Sequence, residues 1–207
     1  MNLFDNIEHH NVIQNSDEWY NLRGGRYTAS NFAKICANMG KSFGDPAIRY
    51  ARTKALEQFT GQVDQSSSFS NKHMDRGHEL EPFAIEAYQD ETFFDVDNGG
   101  FYCNDYIGDS PDGLVGPDGC IEVKSVITNT HWLRIESGGI DTTYKWQIQG
   151  HLLLSGRTWC DFISYCPEFT PKPLYVHRVE RNDKMIEQLK GRLIEFHELV
   201  QTKKKLL

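Results

Sequence analysis

The sequence is short of several things, and each absence removes a class of function. No apolar run approaches the ~20 residues a membrane-spanning helix needs, and Asp5 and Glu8 stand where a secretory signal is basic and then apolar, so an intracellular, cytoplasmic protein is expected. There are five cysteines, Cys36, Cys103, Cys120, Cys160 and Cys166, and no Cys-x-x-Cys pair. This argues against a disulfide framework and against a zinc or iron–sulfur cage, and predicts plain reduced thiols. No G-x-x-x-x-G-K-[ST] phosphate loop is present, so ATP-driven action is not expected. Basic excess is missing too: 22 Lys and Arg face 29 Asp and Glu, a net charge of -7. That is the wrong sign for a protein that grips a polyanion.

The distribution of charge reverses that last inference. Between Asn21 and Lys54 seven basic residues (Arg23, Arg26, Lys34, Lys41, Arg49, Arg52, Lys54) meet one acid, Asp45, so the stretch carries +6 and the remainder -13. A local cationic surface is therefore available to an otherwise acidic chain. With 207 residues, 39% of them hydrophobic and 12% aromatic, the chain has enough apolar material for one core, and a single domain spanning 1–207 is expected.

Periodicity and capping chemistry divide the chain into an N-terminal helical part over about 17–60, a core over about 75–180 and a last helix over about 182–201. Thr28-Ala29-Ser30 suggests a cap for a helix to about Asn38, and Asp45-Pro46 a cap followed by proline at the first helical position, opening a helix to Thr60. The serine-rich Gln65–Asn71 reads as a loop. From Asp75 to Gln89 apolar residues recur at three and four, with Pro82 expected in the first turn or at a kink. Strands are expected at 100–106, 112–115, 120–127, 158–166 and 174–179, with helices at 129–137 and 142–155 between the third and fourth. The fold class is α/β (α+β), a small central mixed sheet flanked by helices.

Residues 108–126 carry the most chemistry. Two short strands joined by Gly116-Pro117-Asp118-Gly119 read as a β-hairpin. Alternation puts Cys120, Glu122 and Lys124 on one face, with Glu122 and Lys124 about 6.8 Å apart. Asp112 joins that face if it lies opposite Glu122, and a one-residue slip sends it to the other side. Two such carboxylates suit a hard cation such as Mg2+, which keeps waters and binds one or two carboxylates plus a substrate phosphate. Lys124 would orient or deprotonate the attacking water, or offset charge on the reacting phosphorus. By itself an acid-x-Lys triplet arises by chance about once in a chain of this length, and the hairpin reads equally as turn chemistry with a solvated face.

Four separated segments, in order, lift the pattern above chance. They are Trp19-Tyr20-Asn21-Leu22-Arg23 leading to Tyr27-Thr28-Ala29-Ser30; Arg76-Gly77-His78-Glu79-Leu80-Glu81-Pro82; the Ser110–Lys124 hairpin; and Tyr144-Lys145-Trp146-Gln147-Ile148-Gln149. Ser110-Pro111-Asp112-Gly113 followed by Glu122-Val123-Lys124 resembles the PD-(D/E)-x-K nuclease core, and the whole arrangement resembles its lambda-exonuclease branch, the YqaJ-like viral recombinases. The resemblance implies catalytic Asp112, Glu122, Lys124 and Gln147; a Mg2+ site, with Mn2+ as substitute, formed by Glu81, Asp112 and Glu122; and a 5′-phosphate site formed by Arg23, Ser30 and Ser110. Glu81 alternatively serves as a helix N-terminal acid, and Ser30 as a plain cap.

Further implications of the resemblance are 5′-to-3′ digestion of double-stranded DNA ends to mononucleotides, a homotrimer, and partnership with a phage single-strand annealing protein in recombination. Competing readings are a PD-(D/E)-x-K endonuclease or junction resolvase, and an inactive DNA-end-binding module. Arg52, Lys41 and Lys54 are expected only to steer the DNA backbone. His78 and His151, the histidines nearest these motifs, are expected at the surface or behind the functional groups.

Overall fold

The alternation along residues 120–126 becomes a strand whose two faces feed two different cores. A computed structural model describes residues 3–63 and 72–207, apart from the side chains of residues 72–75. In chain order its strands are β1 (Glu8–His10), β2 (Tyr27–Thr28), β3 (Phe101–Cys103), β4 (Ile107–Asp109), β5 (Gly113–Val115), β6 (Gly119–Ser125), β7 (Trp159–Tyr165) and β8 (Leu174–Glu180). Its helices are α1 (Asp17–Arg23), α2 (Phe32–Cys36), α3 (Asp45–Thr60), α4 (Lys72–Thr92), α5 (Thr128–Ser137), α6 (Thr142–Ser155) and α7 (Asp183–Lys204). The loop expected at Gln65–Asn71 lies outside the described residues.

The expected mixed α/β class is observed, with the strands divided between two sheets, β1-β3-β4-β2 and β5-β6-β7-β8. The strand expected over 100–106 is where the division begins. It ends at Cys103 because the Asn104 side chain accepts hydrogen bonds from the N–H groups of Tyr106 (2.9 Å) and Ile107 (3.1 Å), closing a tight turn. The chain then returns as β4, antiparallel to β3.

In the second sheet β5–β6 and β7–β8 are antiparallel, while β6 and β7 are parallel. A parallel step needs a crossover, and α5 and α6 supply it. Cys120, Cys160 and Phe162 face Ile148 and Leu152 of α6 and Leu189 and Leu193 of α7. Ile121, Val123 and Ile163 face Ala84 and Tyr88 of α4. Helices thus cover both faces of this sheet, and all five cysteines are free and buried.

Hairpin register settles the question the sequence left open. Gly113 pairs with Ile121, Leu114 with Cys120 and Val115 with Gly119. One step further sets Asp112 opposite Glu122, and the Asp112 N–H donates to the Ile121 carbonyl at 3.1 Å. Close packing behind this point requires Gly99, where a Cβ would lie 1.8 Å from the Pro111 carbonyl oxygen.

Three expected elements differ in detail. The helix from Thr28 to Asn38 is a 3-10 turn, Ala29–Asn31, followed by the five-residue α2, so Ser30 sits inside the turn instead of capping a helix. Asp45 is already helical, with Gly44 as the N-cap. Pro82 lies in the interior of α4 and not in its first turn, because the helix begins at Lys72. It leaves the His78 carbonyl without its helical donor. Among the described residues no helix is long and apolar enough to cross a membrane.

Candidate active site

Glu122 lies in the middle of β6, 1% exposed, where an unpaired ionised carboxylate is costly. Its neighbours remove that cost. Oε1 receives the Lys124 ammonium from two residues along the strand, and a hydrogen bond from Gln147 Nε2 at 2.7 Å. Oε2 meets His151 Nε2 at 2.8 Å, and His151 Nδ1 in turn meets both oxygens of Asp109 at 2.8 Å. Gln147 and His151 reach one carboxylate together because they are one turn apart on α6.

The charges follow from this packing. Burial resists ionisation of Glu122, but Lys124 and His151 outweigh it and hold the carboxylate down to about 2. Burial also works against charge on His151, and Asp109 and Glu122 overcome it, raising the imidazole well above its ordinary range. Lys124 is desolvated too, yet Glu122 and Asp112 push its pKa upward. Two adjacent carboxylates thus favour its ammonium form in the metal-free protein.

Asp112 has the opposite balance. Burial first, then repulsion from Glu122, with Glu81 adding to it, pushes its carboxyl up to about 7 against the pull of Lys124. Oδ2 accepts the Val123 N–H at 2.7 Å and Oδ1 accepts Gln14 Nε2 at 3.3 Å. Glu81, from α4, is raised by burial, lowered by His78 and Lys124, and raised again by Glu122. The carboxylates of Glu81, Asp112 and Glu122 and the Lys124 ammonium thus act on one another electrostatically. Among the described residues no three such side chains stand as a ready-made chelate. As they stand, Lys124, Gln147 and His151 occupy the Glu122 oxygens.

A cleft of ≈ 1070 Å³ is lined by Trp19, Arg23, Lys34, Arg49, Tyr50 and His78, the last an electrostatic neighbour of Glu81. Arg23 stacks on Trp19, 4.3 Å from its ring centroid, and among the described residues its guanidinium has no hydrogen-bond or ion-pair partner. Ser30 is exposed between the cleft-lining Thr28 and Asn31. Ser110 differs: its hydroxyl donates to the Gly100 carbonyl at 2.7 Å and accepts from Trp19 Nε1 at 3.0 Å. In this arrangement its proton is committed to the fold and is not offered to an anion. Lys54, expected to steer DNA, is buried and paired with Glu57 at 2.6 Å.

A family profile described as the YqaJ-like viral recombinase domain matches residues 18–158. This chain belongs to that family. Among solved structures it is similar to an alkaline exonuclease, LHK-Exo, from Laribacter hongkongensis, with a TM-score of 0.83 and 30% identity over 92% of this chain and 95% of that one. LHK-Exo in complex with dAMP matches with a TM-score of 0.79 and 31% identity, over 92% and 97% of the two chains. A phage-related exonuclease from Haemophilus somnus 129PT shares the fold, with a TM-score of 0.67 at 16% identity over 91% and 99%. No curated protein sequence matches.

The YqaJ-like motifs include Gln147 but say nothing of Asp109, His151 or Gln14. His151 is fully buried behind Glu122, the second of the two positions expected for it. Its spacing of four from Gln147 was the available signal. Gln14 precedes every motif and gave none.

The sign of the Asp112 shift makes a stability prediction for the metal-free protein. A carboxyl raised on folding lends stability that is fully present below its unfolded value near 3.9 and lost as pH rises through about 7. Asp112→Asn, which cannot ionise, is expected to melt several degrees above the wild type at pH 8, at roughly 2–4 °C per kcal/mol relieved. The difference should close towards pH 4. Thermal melts in EDTA across this range check it, and a variant melting below wild type at pH 8 contradicts the placement of Asp112.

Proposed function

We propose that this domain is a divalent-cation-dependent exodeoxyribonuclease that digests linear duplex DNA from a 5′ end, releasing 5′ mononucleotides and leaving a 3′ single-stranded overhang. The observation that carries this reading is the grouping of Glu81, Asp112, Glu122, Lys124 and Gln147 near a cation-lined cleft. The relative from Laribacter hongkongensis is an alkaline exonuclease, and its complex with dAMP holds a deoxynucleoside monophosphate of the kind terminal hydrolysis would release.

Glu81, Asp112 and Glu122 would hold the cation, taken as Mg2+ with Mn2+ as substitute. The donor set fits: it is all oxygen, and a cation would relieve the mutual repulsion that raises Asp112. When bound, such an ion polarises the phosphoryl oxygen, acidifies a water and steadies the departing oxygen. Everything else falls to the chain. Water attacks phosphorus and the bond from phosphorus to the 3′ oxygen breaks. Lys124, kept charged by its neighbours, orients the water and offsets charge at phosphorus. Gln147 offers an uncharged donor and acceptor beside Glu122.

Arg23, whose guanidinium has no hydrogen-bond or ion-pair partner among the described residues, would take the 5′ phosphate, and Ser30 would donate a hydroxyl at the cleft edge. Ser110 supports the site from behind by fastening Trp19, on which Arg23 stacks. By resemblance, the reading extends to a homotrimer, to a single-strand annealing partner and to phage recombination.

End-labelled linear duplex bearing a 5′ phosphate or a 5′ hydroxyl, incubated with Mg2+ or EDTA beside covalently closed circular DNA, tests the reading. Loss of mononucleotides from the 5′-phosphorylated linear form, in Mg2+ only, is expected. Cutting of the closed circle would replace it with an endonuclease. Lys124→Ala should lower turnover at least ~100-fold while DNA binding persists. Arg23→Ala should weaken use of 5′-phosphorylated ends roughly 10–100-fold and leave 5′-hydroxyl ends nearly unaffected. An equal loss on both ends would remove Arg23 from the phosphate site.

A further inference from the structure

Resting on the cation site proposed above, we infer that Asp109 and His151 are a positioning pair for Glu122, fixing it so that only Oε1 is presented to the cation. His151 is fully buried, and Asp109 and Glu122 are each 1% exposed. Its ring spans the two carboxylates with both nitrogens at 2.8 Å, and among the described residues no other hydrogen bond engages either nitrogen. Nδ1 thus faces the two Asp109 oxygens and Nε2 the single Glu122 Oε2, and the ring plane fixes the direction in which Oε2 is held.

The three residues come from three elements. Glu122 is on β6, His151 on α6, and Asp109 ends β4 in the other sheet. Asp109 is also three residues before Asp112, so the segment that supplies one proposed ligand anchors the histidine that orients another. Gln147, one turn before His151, holds Oε1 from the side at 2.7 Å. The Glu122 carboxylate is thus pinned against rotation, with Oε2 turned towards the interior and Oε1 towards Lys124. Glu122 accordingly binds a cation through one oxygen. A bidentate grip would require His151 to let go. Partners that orient a ligand in this way are typically worth 10–100-fold in metal affinity.

The test measures Mn2+ binding by electron paramagnetic resonance on the full chain as wild type, His151→Gln and Asp109→Asn, with thermal melts of each. Metal half-saturation and KM for linear duplex are read in parallel. His151→Gln, which keeps one donor and loses the span, should bind Mn2+ about 10–100-fold more weakly, with KM for DNA unchanged and turnover recovering as Mn2+ is raised. Asp109→Asn should shift affinity the same way by less, since an amide oxygen still accepts from Nδ1. Folded variants with wild-type Mn2+ affinity overturn the proposal. Unfolding of both variants also overturns it, by assigning the pair to the fold alone. If the wild type binds Mn2+ without cutting DNA, the nuclease reading fails while the affinity shift still decides the pair; if it binds no Mn2+, both fall.

Discussion

A buried carboxylate in the middle of a β-strand is the constraint around which this molecule is arranged. Glu122 would cost several kcal/mol if ionised and unpaired, and its balance comes from Lys124 on its own strand, from Gln147 and His151 on α6, and from Asp109 behind His151. Helix α6 must therefore sit at one height above the sheet. Gly150, between Gln147 and His151, helps it do so, because a Cβ there would meet the Phe32 ring at 2.8 Å and Ala29 at 2.9 Å. The contact that seats α6 also fixes the turn carrying Ser30. One electrostatic requirement thus ties the sheet, the crossover helix and the edge of the cationic cleft together.

The two hairpin carboxylates are driven in opposite directions. Glu122 is surrounded by donors and held down to about 2, whereas Asp112, with less compensation, is pushed up to about 7. The pair supplies one fixed charge and one whose charge depends on what arrives. Environments that split a pair of acids in this way are a recurring mark of functional sites. The same economy applies to the cations. Of the basic block, Lys54 is taken up by Glu57 and Arg26 by the Asn104 and Leu22 carbonyls, leaving Arg23, Lys34 and Arg49 as the cleft-lining cations with no ion-pair partner among the described residues. A chain with a net charge of -7 can present positive potential where a phosphate would sit, because potential follows local arrangement and not the sum.

Much of this was legible in the sequence. Period-two alternation put Glu122 and Lys124 on one face, and the Gly-Pro-Asp-Gly turn announced the hairpin; the side of the sheet on which Asp112 falls needed the register, which only the pairing supplies. The division into two sheets was hidden because β1, β2, β3 and β4 are two or three residues long, too short for alternation to register. Asn104 marked the turn between β3 and β4 but sits within an otherwise strand-like run. Asp109 and His151 meet only when β4 and α6 are brought together across 42 positions. Ser110 was expected at a 5′-phosphate site, but its partners, Trp19 and Gly100, are long-range and could not be foreseen.

Anomalous diffraction from a Mn2+-loaded crystal decides whether these carboxylates hold a cation. The expected result is a Mn2+ ion bound by Asp112 and by Oε1 of Glu122, with the Lys124 ammonium moved off that oxygen and His151 still on Oε2. An undisturbed pair of Lys124 and Glu122, with no ion between the two carboxylates or with the ion elsewhere, would contradict it.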